Sequence, residues 1–266
     1  VFARPVRRLV TAVRQVAGGT LGVEVAATSR DEFGDLATAF NDMSRSLQVK
    51  QALIDQQKEE NERLLLTLMP ETVARRYREG EETIAENHQD VSVVFADLIG
   101  FDDFGAELPS ERELALLNDL VRQFDDAAVS HGVEKVRTLR TGYLASCGLT
   151  VPRVDSARRV VAFALQMADI VERFNAQHGA ALSLRAGIDT GTVTSGLVGR
   201  SSIAYDMWGD AVNIANQLQA LAGRPGIFVS QRVRDKLPDT TAFSEVGEID
   251  TKAGRQSVWQ VGEVRP

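Results

Sequence analysis

The 266-residue chain is 44% hydrophobic and 25% charged, proportions of a folded protein rather than a disordered one. Its formal net charge of −7 argues against a nucleic-acid partner, which requires clustered Lys and Arg. The single cysteine, Cys147, excludes an internal disulfide framework and fits a reducing compartment, and no apolar run reaches the roughly 18 residues that span a bilayer.

In chain order, Val1-Phe2-Ala3-Arg4-Pro5 opens without an initiator Met, and Arg4, Arg7 and Arg8 cluster behind it. Basic residues collect on the cytoplasmic side of a bilayer. The start therefore reads as a cut just inside a membrane, with the chain on the cytoplasmic side of the cell membrane and joined to it through a missing N-terminal segment. An ordinary basic helix start suits the same residues. From Pro5, the spacing of Val6, Leu9 or Val10, Val13 and Val16 predicts one amphipathic helix, stopped by Gly18-Gly19. Asp31 caps a second helix in which Phe33, Leu36, Phe40, Met43 and Leu47 alternate steps of three and four, the seam of a coiled coil. The register continues to Ile54, Leu64 and Leu68 and puts the polar Lys50, Gln57 and Asn61 in the seam, so the rod packs weakly and changes register at low cost. Pro70 ends or kinks it. The two helices and their connector, with Pro5 at the head and Asp31-Glu32-Phe33-Gly34 opening the second, resemble a HAMP domain, a parallel four-helix dimer bundle that relays membrane signals.

The stretch 80–89 is polar and reads as a loop. Val91-Ser92-Val93-Val94-Phe95-Ala96 is a buried strand ending at Asp97, where a carboxylate beside a glycine turn suits a hard cation carrying phosphate, or merely a turn. A helix over 111–129, strands over 132–139 and 143–149, a helix over 155–177 and a strand over 182–189 follow. This order predicts an α+β domain with helices on one face of a central sheet, arranged as a ferredoxin-like split unit. Tyr205 and Trp208 read as packing residues, and Asp102 and Asp103 as helix caps. His88, His131 and His178 lack metal-like spacing, and Cys147 reads as a small buried residue in a strand.

Phe95-Ala96-Asp97-Leu98-Ile99-Gly100-Phe101, Leu184-Arg185-Ala186-Gly187-Ile188-Asp189-Thr190-Gly191, Gly196-Leu197-Val198-Gly199 and Tyr205-Asp206-Met207-Trp208-Gly209-Asp210-Ala211-Val212-Asn213-Ile214-Ala215 occur in an order and spacing that resemble a class III nucleotidyl cyclase. The resemblance runs from about Val91 to Val261 and implies three regions: a HAMP-like module over 1–54, a coiled-coil or transducer linker over 55–86, and a cyclase domain over 87–266. It also implies a homodimer, through parallel helices and head-to-tail cyclase domains with composite sites. Such sites turn ATP into 3′,5′-cyclic AMP and pyrophosphate with two Mg or Mn ions.

Carried across by position, Asp97 is the first metal carboxylate, and Ile99, Gly100 and Phe101 border the substrate. Glu134-Lys135-Val136-Arg137-Thr138-Leu139-Arg140-Thr141-Gly142-Tyr143 puts Arg137 at the base-reading lysine and Thr141 at the second metal carboxylate. The first change keeps a donor, although of different shape. The second replaces a charged ligand by a neutral hydroxyl. Asp206 matches the acceptor of the adenine amino group and Asn213 the ribose-orienting residue. Gln217 stands where the family has its transition-state arginine, and its loss costs orders of magnitude in rate. Lys252 fits the triphosphate lysine, with Arg255 as helper.

Both halves of the composite site are affected, so neither a homodimer nor pairing with a complete chain supplies a full set. Two readings follow: an adenylyl cyclase with weak or lost activity, and a non-catalytic nucleotide-binding regulator acting through its dimer and HAMP module. A diguanylate cyclase is disfavoured, because Arg140-Thr141-Gly142-Tyr143 lacks that family's glycine and acidic signature.

Overall fold

A computed structural model describes residues 3–27, 31–81, 83–199, 203–221, 223–238, 242–252 and 254–262. The opening Val1-Phe2 and the Arg4 side chain, on which the membrane-proximal reading partly rests, lie outside the described residues. The chain divides into two compact units, Val1–Met69 and Pro70–Pro266.

The first unit holds α1 (Ala3–Ala17) and α2 (Glu32–Leu68). Pro5 sits in the first turn of α1, and Gly19, at φ 95°, takes the left-handed conformation that ends it. The Asp31 carboxylate accepts from the backbone N–H groups of Phe33 and Gly34, capping α2. Asn41 fastens the connector to α2: Val25 N–H donates to its Oδ1 at 2.8 Å, and its Nδ2 donates to Val25 O at 2.9 Å. Ala12 of α1 and Gly34, Ala37, Phe40 and Ser44 of α2 are buried. Leu36, Met43, Leu47, Ile54, Leu64 and Leu68 of the expected seam face water in the single chain. From Arg45 to Leu64 every residue is exposed. The helix stops at Leu68 with Met69 extended ahead of Pro70, which cannot continue it. Among the described residues no helix is long and apolar enough to cross a membrane.

The second unit runs α3 (Glu71–Arg78), β1 (Ala85–Ile99), α4 (Phe101–Ala106), α5 (Ser110–His131), β2 (Glu134–Thr138), β3 (Gly142–Cys147), α6 (Ser156–His178), β4 (Ser183–Val198), β5 (Ala204–Trp208), α7 (Asp210–Leu221), β6 (Gly226–Ser230), α8 (Gln231–Asp235), β7 (Phe243–Thr251) and β8 (Gly254–Val261). The stretch 80–89 is a loop only in part, because β1 already begins at Ala85. Its first residues pair with the outer arm of β4, where His88 Nε2 lies 2.9 Å from Ser195 Oγ and the Thr194 hydroxyl donates to Asn87 Oδ1 at 2.7 Å. A polar strand held by such contacts carries no hydrophobic alternation.

The sheet order is β2-β3-β1-β4-β6-β8-β7, with β5 paired to β4, and every pairing is antiparallel except β4 with β6. On one face Val94, Ala96, Tyr143, Ala145, Ala186 and Ile188 form the main core with Leu120 and Phe124 of α5 and Val160, Phe163, Met167 and Phe174 of α6. Cys147 is buried there, and burial pushes its thiol pKa up. The helices do not all share this face: α7 packs on the other, with Ala211 and Ala215 against Val91, Val93, Val193 and Met207. Gly187 of β4 makes that approach possible, because a side chain there would strike the backbone of α7.

Candidate functional site

The pairing of β1 with β4 puts Asp97 directly across from Arg185, and the pairing of β1 with β3 puts it across from Gly142. Leu98 N–H donates to Thr141 O at 3.0 Å, which holds the β2–β3 turn against the end of β1. Three groups therefore converge on one carboxylate. The Thr141 hydroxyl donates to Asp97 Oδ1 at 2.9 Å, Arg185 Nη2 donates to Oδ2 at 3.1 Å, and Gln219 Nε2, from the buried face of α7, approaches Oδ2 at 3.4 Å. The Arg185 Nε is buried and has no hydrogen-bond partner.

This corner does not fit the two-ion set that the family resemblance implies. Divalent ions want several oxygens, preferably anionic, whereas Asp97 meets a cation and two donors, and Thr141 brings no charge. Among the described residues no group of three His, Cys, Asp or Glu side chains is placed to hold a metal ion.

A second corner forms where β2 and β5 approach. Arg137 Nη1 lies 2.9 Å from Asp206 Oδ2, and Met207 N–H donates to Asp206 Oδ1 at 2.9 Å. The arginine side chain is about half exposed, at 48%, so the pair is cheap to open, and carboxylate oxygens retain further lone pairs for a ligand donor. Asp206 is the register partner of Gly196 in β4, where a Cβ would come 2.2 Å from Ile84 O, so the glycine admits the chain entering β1.

α7 connects the two corners. Its buried face carries Gln219, and its exposed face carries Asn213 and Gln217 one turn apart. Ile214 and Leu218 of α7 pack with Ile249 of β7, which brings the β7–β8 hairpin beside it. Lys252 is exposed at the turn of that hairpin, next to Ala253, which lies outside the described residues. Arg255 is already shared between Glu248 and Asp250, each at 3.5 Å, which weakens its case as a helper.

Ile99 is half-buried and Gly100 adopts φ 85°. The Phe101 ring is buried in the core beside Phe104, so only its backbone is left to meet a ligand. Asp102 and Asp103 do not cap α4. They lie in its first turn, no side chain caps the helix, and Asp102 pairs with Arg140 at 2.9 Å. Tyr205 packs against the second core cluster as expected, but Trp208 does not, being 41% exposed. It shares its strand parity with Asp206.

Sequence reasoning assigned no role to Arg185, Gln219, Asp189 or Arg232. Asp189 is fully buried, accepts from the Ser230 hydroxyl at 2.5 Å and pairs with Arg232, which also reaches Asp210 in the first turn of α7 at 3.3 Å. Burial pushes its carboxyl pKa up, partly offset by Ser230 and Arg232. This cluster ties α8, β4 and α7 together.

The profile of the adenylate and guanylate cyclase catalytic domain matches residues 83–262, and that of the HAMP domain matches residues 2–49. An adenylate cyclase of Mycobacterium tuberculosis (strain ATCC 25618 / H37Rv) is 30% identical over 238 residues, covering 85% of this chain and 53% of its own length. The chain thus spans about half the length of that curated relative. Human atrial natriuretic peptide receptor 2 is 30% identical over 232 residues, 84% of this chain and 22% of the receptor. Among solved structures, the guanylate cyclase domain of RhGC from Catenaria anguillulae in complex with GTP superposes with TM-score 0.62 at 25% identity, covering 66% of this chain and 98% of that one. The adenylyl cyclase CyaB from P. aeruginosa, at TM-score 0.60 and 22% identity over 68% of this chain and 97% of its own, shows the shared fold alone.

Proposed function

We propose that this chain, which belongs to the adenylate and guanylate cyclase family and carries a HAMP domain ahead of its catalytic domain, recognises ATP but converts it to cyclic AMP and pyrophosphate weakly or not at all. The family works with a divalent metal and a nucleotide, and class III cyclases act as dimers that bind a nucleoside triphosphate. The observation that carries the reading is the hydrogen bond from Thr141 to Asp97: where a second carboxylate would share a cation with Asp97, this chain has a neutral donor. Gln217 on the exposed face of α7 supports it, since an amide cannot offset charge that develops on the α-phosphate.

The paired Arg137 and Asp206 support retained recognition of adenine, with Asn213 assigned to the ribose and Lys252 to the triphosphate. Ile99, Gly100 and the Phe101 backbone line the phosphate side in this proposal. The proposed organisation is a HAMP-like module over 1–54, a linker over 55–86 and a cyclase domain over 87–266. It works as a homodimer attached at the cytoplasmic face of a membrane. A second reading, a wholly non-catalytic regulator, draws support from the apolar seam of α2, which a parallel partner helix would cover.

The test is cyclic AMP formation from ATP with Mg²⁺ or Mn²⁺. Little product is expected, and turnover matching a complete family member refutes the proposal. Thr141→Asp combined with Gln217→Arg, and with Arg137→Lys where needed, is expected to raise activity by orders of magnitude.

A further inference from the structure

We propose that Arg185 is the standing counter-ion of Asp97 and, with Thr141 and Gln219, closes this corner to divalent cations, so that the chain takes up a nucleoside triphosphate without a metal ion. The second half rests on the nucleotide-binding reading above, whereas the closure of the corner does not.

Asp97 and Arg185 are direct cross-strand partners, the placement in which opposite charges interact best across a sheet. Their side chains are 27% and 22% exposed, so water screens the pair only in part. One carboxylate faces one guanidinium, and their charges cancel. The guanidinium is part of the chain, a fixed cation where a bound ion would exchange. Thr141 and Gln219 complete the enclosure by presenting donors to the carboxylate oxygens. An incoming Mg²⁺ or Mn²⁺ has to displace Arg185 before an Asp97 oxygen is free to join water in the oxygen shell that hard cations require. A second carboxylate at position 141 would upset this neutrality, which is why Thr141→Asp belongs in the restoration experiment.

The experiment uses the full 266-residue chain. Free Mn²⁺, followed by its electron paramagnetic resonance signal, is titrated against the unmodified protein and against Asp97→Asn. Equal uptake is expected, and one equivalent bound to the unmodified chain and lost in Asp97→Asn overturns the closure. Uptake that depends on Asp97 is expected to appear in Arg185→Gln and to vanish in Arg185→Gln combined with Asp97→Asn. If Arg185→Gln, folded by circular dichroism, takes up none, Arg185 is not what closes the corner. In parallel, a non-hydrolysable ATP analogue is titrated calorimetrically in EDTA and in excess Mg²⁺. Affinities within about twofold of each other are expected, and strengthening by about tenfold or more with Mg²⁺ refutes metal independence. Failure to bind under either condition removes the nucleotide-binding reading and with it the second half of the proposal, while the Mn²⁺ titration still decides the first half.

Discussion

Gly187 lies directly against the carbonyl oxygen of Ala215: a Cβ at Gly187 would fall 2.0 Å from that oxygen and 2.5 Å from the Gln219 nitrogen. Both neighbours are helix backbone, so no flexible side chain can give way. The contact sets the depth at which α7 rests on β4. It thereby sets where Gln219 stands relative to Asp97, and where Asn213 and Gln217 emerge.

Gly187→Ala is expected to force α7 off the sheet and to destabilise the cyclase unit by about 3 kcal/mol, at the upper end of the cost of overpacking a core. Chemical denaturation followed by intrinsic fluorescence measures this. A loss below about 1 kcal/mol would mean that the helix sits less tightly than its backbone spacing implies.

Arg232→Ala leaves the buried Asp189 with Ser230 as its remaining side-chain partner. The expected loss is about 3 kcal/mol, the lower end for breaking a buried pair, because a third of the Arg232 side chain is exposed. The pH dependence follows from the raised pKa of Asp189. Folding favours its protonated form, so this group adds stability as pH falls through its folded pKa toward its unfolded one, and withdraws it as pH rises. Without Arg232 the pKa rises further, so the deficit of the variant should shrink on mild acidification. Melts at a series of pH values read this directly, and a deficit that grows on acidification contradicts it.

Asp206→Ala removes the acceptor assigned to the adenine amino group and releases Arg137. Binding of an ATP analogue is expected to weaken about tenfold, the scale of one charged hydrogen bond, and any preference over the matching GTP analogue should disappear. Unchanged selectivity would move base recognition elsewhere.

Asn41→Ala cuts both hydrogen bonds to Val25. A local loss of about 1–2 kcal/mol is expected, visible as faster hydrogen exchange at the Val25 amide with the cyclase unit unaffected.

Local chemistry made much of this fold legible. The Asp31 cap, the Pro70 stop and Asp97 near a strand end all depend on neighbours in sequence. Arg185 escaped assignment because its meaning depends on register. It meets Asp97 only through strand pairing across 88 residues, and nothing in its immediate neighbours announces that partner. Gln219 is a polar residue turned inward, which helix periodicity cannot distinguish from a surface glutamine. The start of β1 was unreadable for the opposite reason, since its polar side chains are held by β4 rather than by a core. The position of α7 on the second face followed from two helix-facing atoms above Gly187, a matter of space rather than of composition.

The long exposed stretch of α2 has a thermodynamic consequence. Between Arg45 and Leu64 every residue is exposed, so in the lone chain helicity there rests largely on backbone hydrogen bonds, intrinsic propensity and surface pairs such as Gln51 with Asp55. Such a segment obeys helix–coil statistics: it frays gradually with temperature and sharpens with concentration if a second strand lies against it. Far-UV ellipticity of this protein should therefore fall in a broad, concentration-sensitive slope, set apart from the cooperative step of the sheet domain.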